Sequence, residues 1–163
     1  MKIGISGHQV ICPESSLEWV EATLRAAMLR QHASAGVSCL AAGTDQIFAS
    51  IALGLGMDLE VIIPCDGYEG AFDETGGKVR YTELLGSATR VHRLDFQQPS
   101  QEAFLCAGKR VVDICDGMLF VWDGTASEGC GGTADIVAYA RLRAVPFIWL
   151  NPVDSAIQTS NSE

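Results

Sequence analysis

The chain has 163 residues, 48% of them hydrophobic, and a formal net charge of −9. That length carries one well-buried core and is short for two. The acidity argues against a broad phosphate-neutralising surface, so nucleic acid is not expected as a partner, although a small anion can still bind backbone N–H groups.

Six cysteines at positions 12, 39, 65, 106, 115 and 130 lie far apart, and the sequence opens on MKIGIS rather than on a secretory signal. A reduced, cytoplasmic setting is the expectation. No apolar run approaches the roughly 20 residues that span a bilayer, so no membrane partner is expected. With three histidines and dispersed cysteines, neither a zinc site nor a cofactor is expected.

In chain order, strand-length runs occur at Lys2 to Ser6, Val37 to Ala41, Leu59 to Ile63, Arg90 to Leu94, Met118 to Trp122 and Pro146 to Leu150. Four of the six are almost continuously apolar, as strands covered on both faces must be. Between them, Ser16 to Gln31, Asp45 to Leu55, Gln101 to Cys115 and Thr133 to Arg143 space apolar residues three and four apart, which predicts helices. The alternation predicts an α/β fold: a single Rossmann-like three-layer domain over residues 1–150, with a mostly parallel sheet of about six strands. Residues 66–86 are less regular, with Gly76-Gly77 read as a loop, and residues 151–163 read as a polar tail that frays.

In such a sheet ligands bind at the carboxyl ends of the strands. Three segments fall there. Ser6 and Gly7 end the first strand, followed by His8 and Gln9; Gly43 and Thr44 lead from the second strand into the helix beginning near Asp45; Asp123 and Gly124 lead through SEGCGGTAD into the last helix. Gly129, Gly131 and Gly132 allow positive φ and close backbone approach, and the N–H groups at the helix start suit a phosphate. Thr133 is placed to donate a hydroxyl or to cap the helix, and the same loop also reads as an ordinary glycine-rich turn. Neither a P-loop nor a GxGxxG fingerprint is present.

Several of these residues have two readings. Asp45 is either an early-helix carboxylate favoured by the dipole or a neighbour of the ligand. Asp123 either binds or makes an Asx-turn with Gly124. His8 either serves an anion or makes a structural hydrogen bond. Glu128 reads as a solvated loop residue, and Cys130 sits where a helix N-terminus lowers a thiol pKa, with no histidine adjacent to it in sequence.

IGISGH at the start, LAAGTDQIFASIALGLGMDLEVIIP in the middle and CDGMLFVWDGTASEGCGGTADIVAYARLRAVPFIWLNP near the end together resemble the SLOG superfamily. That group includes the Smf/DprA proteins, the YspA/YpsA-like proteins and the Lonely Guy phosphoribohydrolases. The last segment is also similar to the nucleoside deoxyribosyltransferases. The resemblance covers most of residues 1–150, with a gap at 66–90. It implies a Rossmann-like sheet that binds a nucleotide-like small molecule, phosphate on the glycine-rich loop, and self-association as a homodimer. Ser6, Gly7, His8, Gly43, Thr44, Asp45, Asp123, Gly129, Gly131, Gly132 and Thr133 are the ligand-binding candidates.

One departure bears on chemistry. Where the related enzymes carry a glutamate three residues after the loop threonine, this chain has Ile136. Asp135 lies about 100° around the helix from that position and does not simply substitute. Two expectations follow: a noncatalytic nucleotide-binding or sensor domain, which is favoured, or an N-glycoside hydrolase or transferase acting through Asp116, Asp123 or Asp135. A DNA-processing role by analogy with Smf/DprA is disfavoured by the acidic charge.

Overall fold

The computed structural model describes residues 1–72, 76–126 and 131–160. Seven strands form one sheet: β1 (Lys2–Gly7), β2 (Ala35–Ser38), β3 (Asp58–Ile63), β4 (Arg90–Arg93), β5 (Gly117–Val121), β6 (Phe147–Asn151) and β7 (Ala156–Thr159). Their order is β4-β3-β2-β1-β5-β6-β7, parallel throughout except for the antiparallel β6–β7 pair. β1 and β5 are neighbours, with Gly7 opposite Val121.

The alternation along each strand divides the core between the two faces. Ile3, Ile5, Leu119 and Val121 meet α1 (Leu17–Arg30) and α2 (Thr44–Gly54) through Val20, Leu24, Phe48 and Ile51. On the other face, Val37, Ile62, Met118 and Phe120 meet α4 (Gln101–Ile114) and α5 (Thr133–Leu142) through Val111, Val112, Ile136 and Val137. α3 (Gly77–Gly86) sends Tyr81 and Leu84 into a third cluster with Leu59, Val61 and Ile63. The α/β, mostly parallel, Rossmann-like architecture is therefore the one the alternation predicts.

Two segments differ from their sequence reading. Residues 77–86 are a helix, whose burial of only Tyr81 and Leu84 gives a weak periodic signal. Residues 151–160, read as a fraying tail, form a hairpin that adds the seventh strand. Its polar residues are turn residues: Asn151 Oδ1 accepts from Val153 N at 3.0 Å, and Asp154 Oδ1 accepts from Ala156 N at 3.0 Å. Ser160 Oγ then accepts from Phe147 N at 2.9 Å and closes the hairpin. Among the described residues, no helix is long and apolar enough to cross a membrane.

Candidate functional site

β1 sits where the strand order reverses, with β2 on one side and β5 on the other. Loops leaving their carboxyl ends diverge, and a crevice opens between them. The crevice is a cavity of about 460 Å³.

One wall is largely backbone and small side chains: Ser6 and Gly7 at the end of β1 with His8 and Gln9 after it, Cys39, Ala41 and Ala42 after β2, and Gly131, Gly132 and Thr133 leading into α5. The facing wall is apolar and aromatic. Pro64 follows β3, Tyr68, Ala71 and Phe72 belong to a short 3-10 turn and its end, and Phe104 comes from α4. These rings interlock with Tyr81. Phe72 stacks on Tyr81 at 4.7 Å, and Tyr68 stands edge-on to Phe72 at 5.1 Å.

The β1 to α2 junction is held from within. Gly43 has φ +77, and a Cβ there would run into the carbonyl of Gln9. Thr44 is fully buried, its Oγ1 donating to the His8 carbonyl at 2.7 Å. Gly43 and Thr44, expected to touch the ligand, therefore lie behind the cleft and fix the segment that does line it. Asp45 does line it, 5% exposed. Its Oδ2 accepts from Ser38 Oγ and Cys39 N, both at 3.1 Å. Burial dominates over these donors and pushes the carboxyl up to about 7. Burial, with Asp45 and Cys115 beside it, also pushes the Cys39 thiol well up, which opposes thiolate chemistry.

At the rim, His8 N donates to the Val121 carbonyl at 3.1 Å, and its Nε2 lies 3.0 Å from Asp123 Oδ1. The backbone N–H of Asp123 also points at this nitrogen, at 3.3 Å. Asp123 makes the Asx-turn, its Oδ1 accepting from Thr125 N at 2.9 Å and Thr125 Oγ1 at 2.7 Å. Partial burial works against its ionisation, but the Thr125 donors and His8 outweigh it and hold the carboxyl at about 2.

At α5 the positive φ belongs to Gly131, at +93, where a Cβ would sit 3.0 Å from Leu105 N. Gly132, expected to share that conformation, is extended at φ −73 and occupies the N-cap position, so Thr133 is the first helical residue rather than the cap. The N–H of Gly131, expected to be available to an anion, donates to Asp135 Oδ2 at 2.8 Å. Ile136 is 2% exposed and packs so closely on α4 that a Cβ on Gly108 would overlap it. Asp116 is at the opposite edge of the sheet: its Oδ2 accepts from Lys2 N, at the beginning of β1, at 2.7 Å. A residue preceding a parallel strand lies at the amino edge, away from the crevice. Glu128, Gly129 and Cys130 lie outside the described residues.

The sequence reading missed the aromatic wall. Its one signal is the i, i+4 spacing of Tyr68 and Phe72 in YEGAF. Among the described residues, no lysine or arginine lines the cavity, and no group of three or more His, Cys, Asp and Glu is placed to hold a metal.

No protein-family model and no curated protein sequence matches this chain. Solved structures do. DNA processing protein A (DprA) from Streptococcus pneumoniae superposes with a TM-score of 0.65 at 18% identity, over 91% of this chain and 50% of its own. DNA processing protein A from Helicobacter pylori superposes with a TM-score of 0.67 at 21% identity, over 92% of this chain and 65% of its own. The chain thus spans between half and two thirds of the length of these structures. These structures share the Rossmann-like fold that the resemblance to the SLOG superfamily, which includes the Smf/DprA proteins, implied.

The Helicobacter pylori structure is described for a single-stranded DNA binding mode. That finding overturns the expectation that put nucleic acid aside and took a small nucleotide-like molecule as the partner. Net charge averages the whole surface, whereas a strand is recognised at one site by stacking and oriented backbone donors as well as by cations.

Proposed function

We propose that this chain binds a nucleotide unit of single-stranded nucleic acid in the crevice, and that it does so without N-glycosidic chemistry of its own. The observation that carries the reading is the division of the cavity into a backbone-rich polar wall and a wall of rings. A nucleotide is divided in the same way, into phosphate and sugar on one side and a planar base on the other. A volume of about 460 Å³ lies in the range of sites that enclose one small ligand rather than a groove tracking many nucleotides. The shared fold with a protein that binds single-stranded DNA supports the same reading. With no lysine or arginine in the lining among the described residues, recognition leans on stacking and on backbone N–H groups, which is compatible with an acidic chain.

The noncatalytic half of the proposal is supported by the fate of the carboxylates. Ile136 stands where a glutamate is needed, Asp135 is engaged by Gly131, Asp123 by Thr125 and His8, and Asp116 lies at the far edge. Anisotropy of a labelled oligo(dT) at low salt tests the binding half. Binding of the single strand in preference to the duplex is expected; no response to any single strand sinks the proposal. Release of free base from nucleoside monophosphates, abolished by Asp123→Asn, would instead overturn the noncatalytic half.

A further inference from the structure

The short 3-10 turn Tyr68–Ala71 presents Tyr68 to the crevice at 5% exposure. Three rings fix its orientation: Phe72 at 5.1 Å, Tyr81 at 5.7 Å and Phe104 at 6.0 Å. Packing alone therefore accounts for the ring. It does not account for the hydroxyl, which has no hydrogen-bond partner among the described residues.

A buried hydroxyl without a partner costs the fold free energy, and phenylalanine would fill the same space without that cost. The hydroxyl is within electrostatic reach of Cys39 and Asp45, both of which line the cavity. Tyr68 itself lines the cavity beside them. Burial pushes the phenol far above its ordinary value, so it keeps its proton and acts as a donor across the physiological range.

We infer that Tyr68 is a specificity-determining residue, its hydroxyl donating to a ring nitrogen or carbonyl oxygen on the edge of a nucleobase seated against Phe72 and Phe104. The inference rests on the nucleotide-unit reading above and adds the group that reads the base. A site built to hydrogen-bond its ligand rejects one lacking the acceptor, because the site's own polar group is then left buried and unpaired.

The variant Tyr68→Phe tests this with two readouts. Its affinity for a labelled oligo(dT) falls about tenfold, the loss of one hydrogen bond, while its melting temperature equals or exceeds that of the wild type. An oligonucleotide of abasic residues binds the wild type and the variant equally. Unchanged oligo(dT) affinity in the variant overturns the inference and leaves the nucleotide reading standing. A marked drop in melting temperature also overturns it, because the hydroxyl would then be bonded within the fold. A wild type that binds no strand at all removes both.

Discussion

The two walls of the crevice are made of different material and respond differently to change. Along the wall formed by the ends of β1 and β2 and the start of α5, the ligand-facing groups are mostly backbone, held by contacts that also hold the sheet together. Along the facing wall they are side chains on a short turn and on one face of α4. If the crevice is the proposed binding site, alteration of the first wall is expected to disturb the fold before it disturbs binding. The second is expected to tolerate loss of a ring and remain folded.

The largest effect separating the walls is expected at Ile136. Ile136→Glu places an unpaired carboxylate in a site that is 2% exposed and should cost about 4 kcal/mol or more. Urea unfolding should show a collapsed midpoint, with no gain of base release from nucleotides. Gly43→Ala follows at about 2 kcal/mol or more, because φ +77 and the Gln9 carbonyl both oppose a Cβ. An unchanged midpoint would mean that the junction relaxes freely and that the backbone wall is not structural.

Asp45 joins the two categories, since it lines the crevice and clamps the β2 to α2 loop. Its carboxyl is raised from an ordinary 3.8 to about 7, so the folded state holds a proton that the unfolded chain has released between those values. This group's contribution to stability is complete below about 4 and is lost as pH rises toward about 7. The slope from this group is at most about 1.4 kcal/mol per pH unit. Asp45→Asn should remove that slope, read as the difference between wild-type and variant unfolding curves across the window. Parallel curves would count against a buried, protonatable Asp45.

Phe72→Leu should reverse the pattern, with affinity for oligo(dT) reduced about tenfold by lost stacking and stability reduced by only about 1 kcal/mol. A loss of stability as large as that of Gly43→Ala would erase the distinction between the walls. The smallest effect is that of salt. With no lysine or arginine in the lining among the described residues, the logarithm of the binding constant should fall with the logarithm of salt at a slope of about −1 or shallower. A steep slope would place the strand on another surface.

The first wall was largely legible in the sequence and the second was not, for a physical reason. ISGH and AAGTD announce themselves because glycine, serine and threonine at strand ends have few other uses, and strand alternation fixes which edge they share. Tyr68, Phe72 and Phe104 look like any core aromatics, and only the folded turn shows that their rings border a cavity. Asp116 precedes β5 and Asp123 follows it, so their opposite edges were already fixed by the direction of the strand. Asn151 and Asp154 read as tail residues because the side chains that solvate a frayed end also build Asx-turns.

The hydrogen bond from Gly131 N to Asp135 has a consequence for any anion that approaches α5. The chain already supplies a negative group to that donor, so occupation by phosphate is an exchange and not a simple capture. The gain is the difference between the incoming contact and the carboxylate it displaces into water. A weakly held monovalent anion gains almost nothing from such a trade, whereas a phosphate that is also anchored elsewhere in the crevice does. On the proposed reading, the Gly131 donor therefore favours an anion already attached to something the other wall can hold.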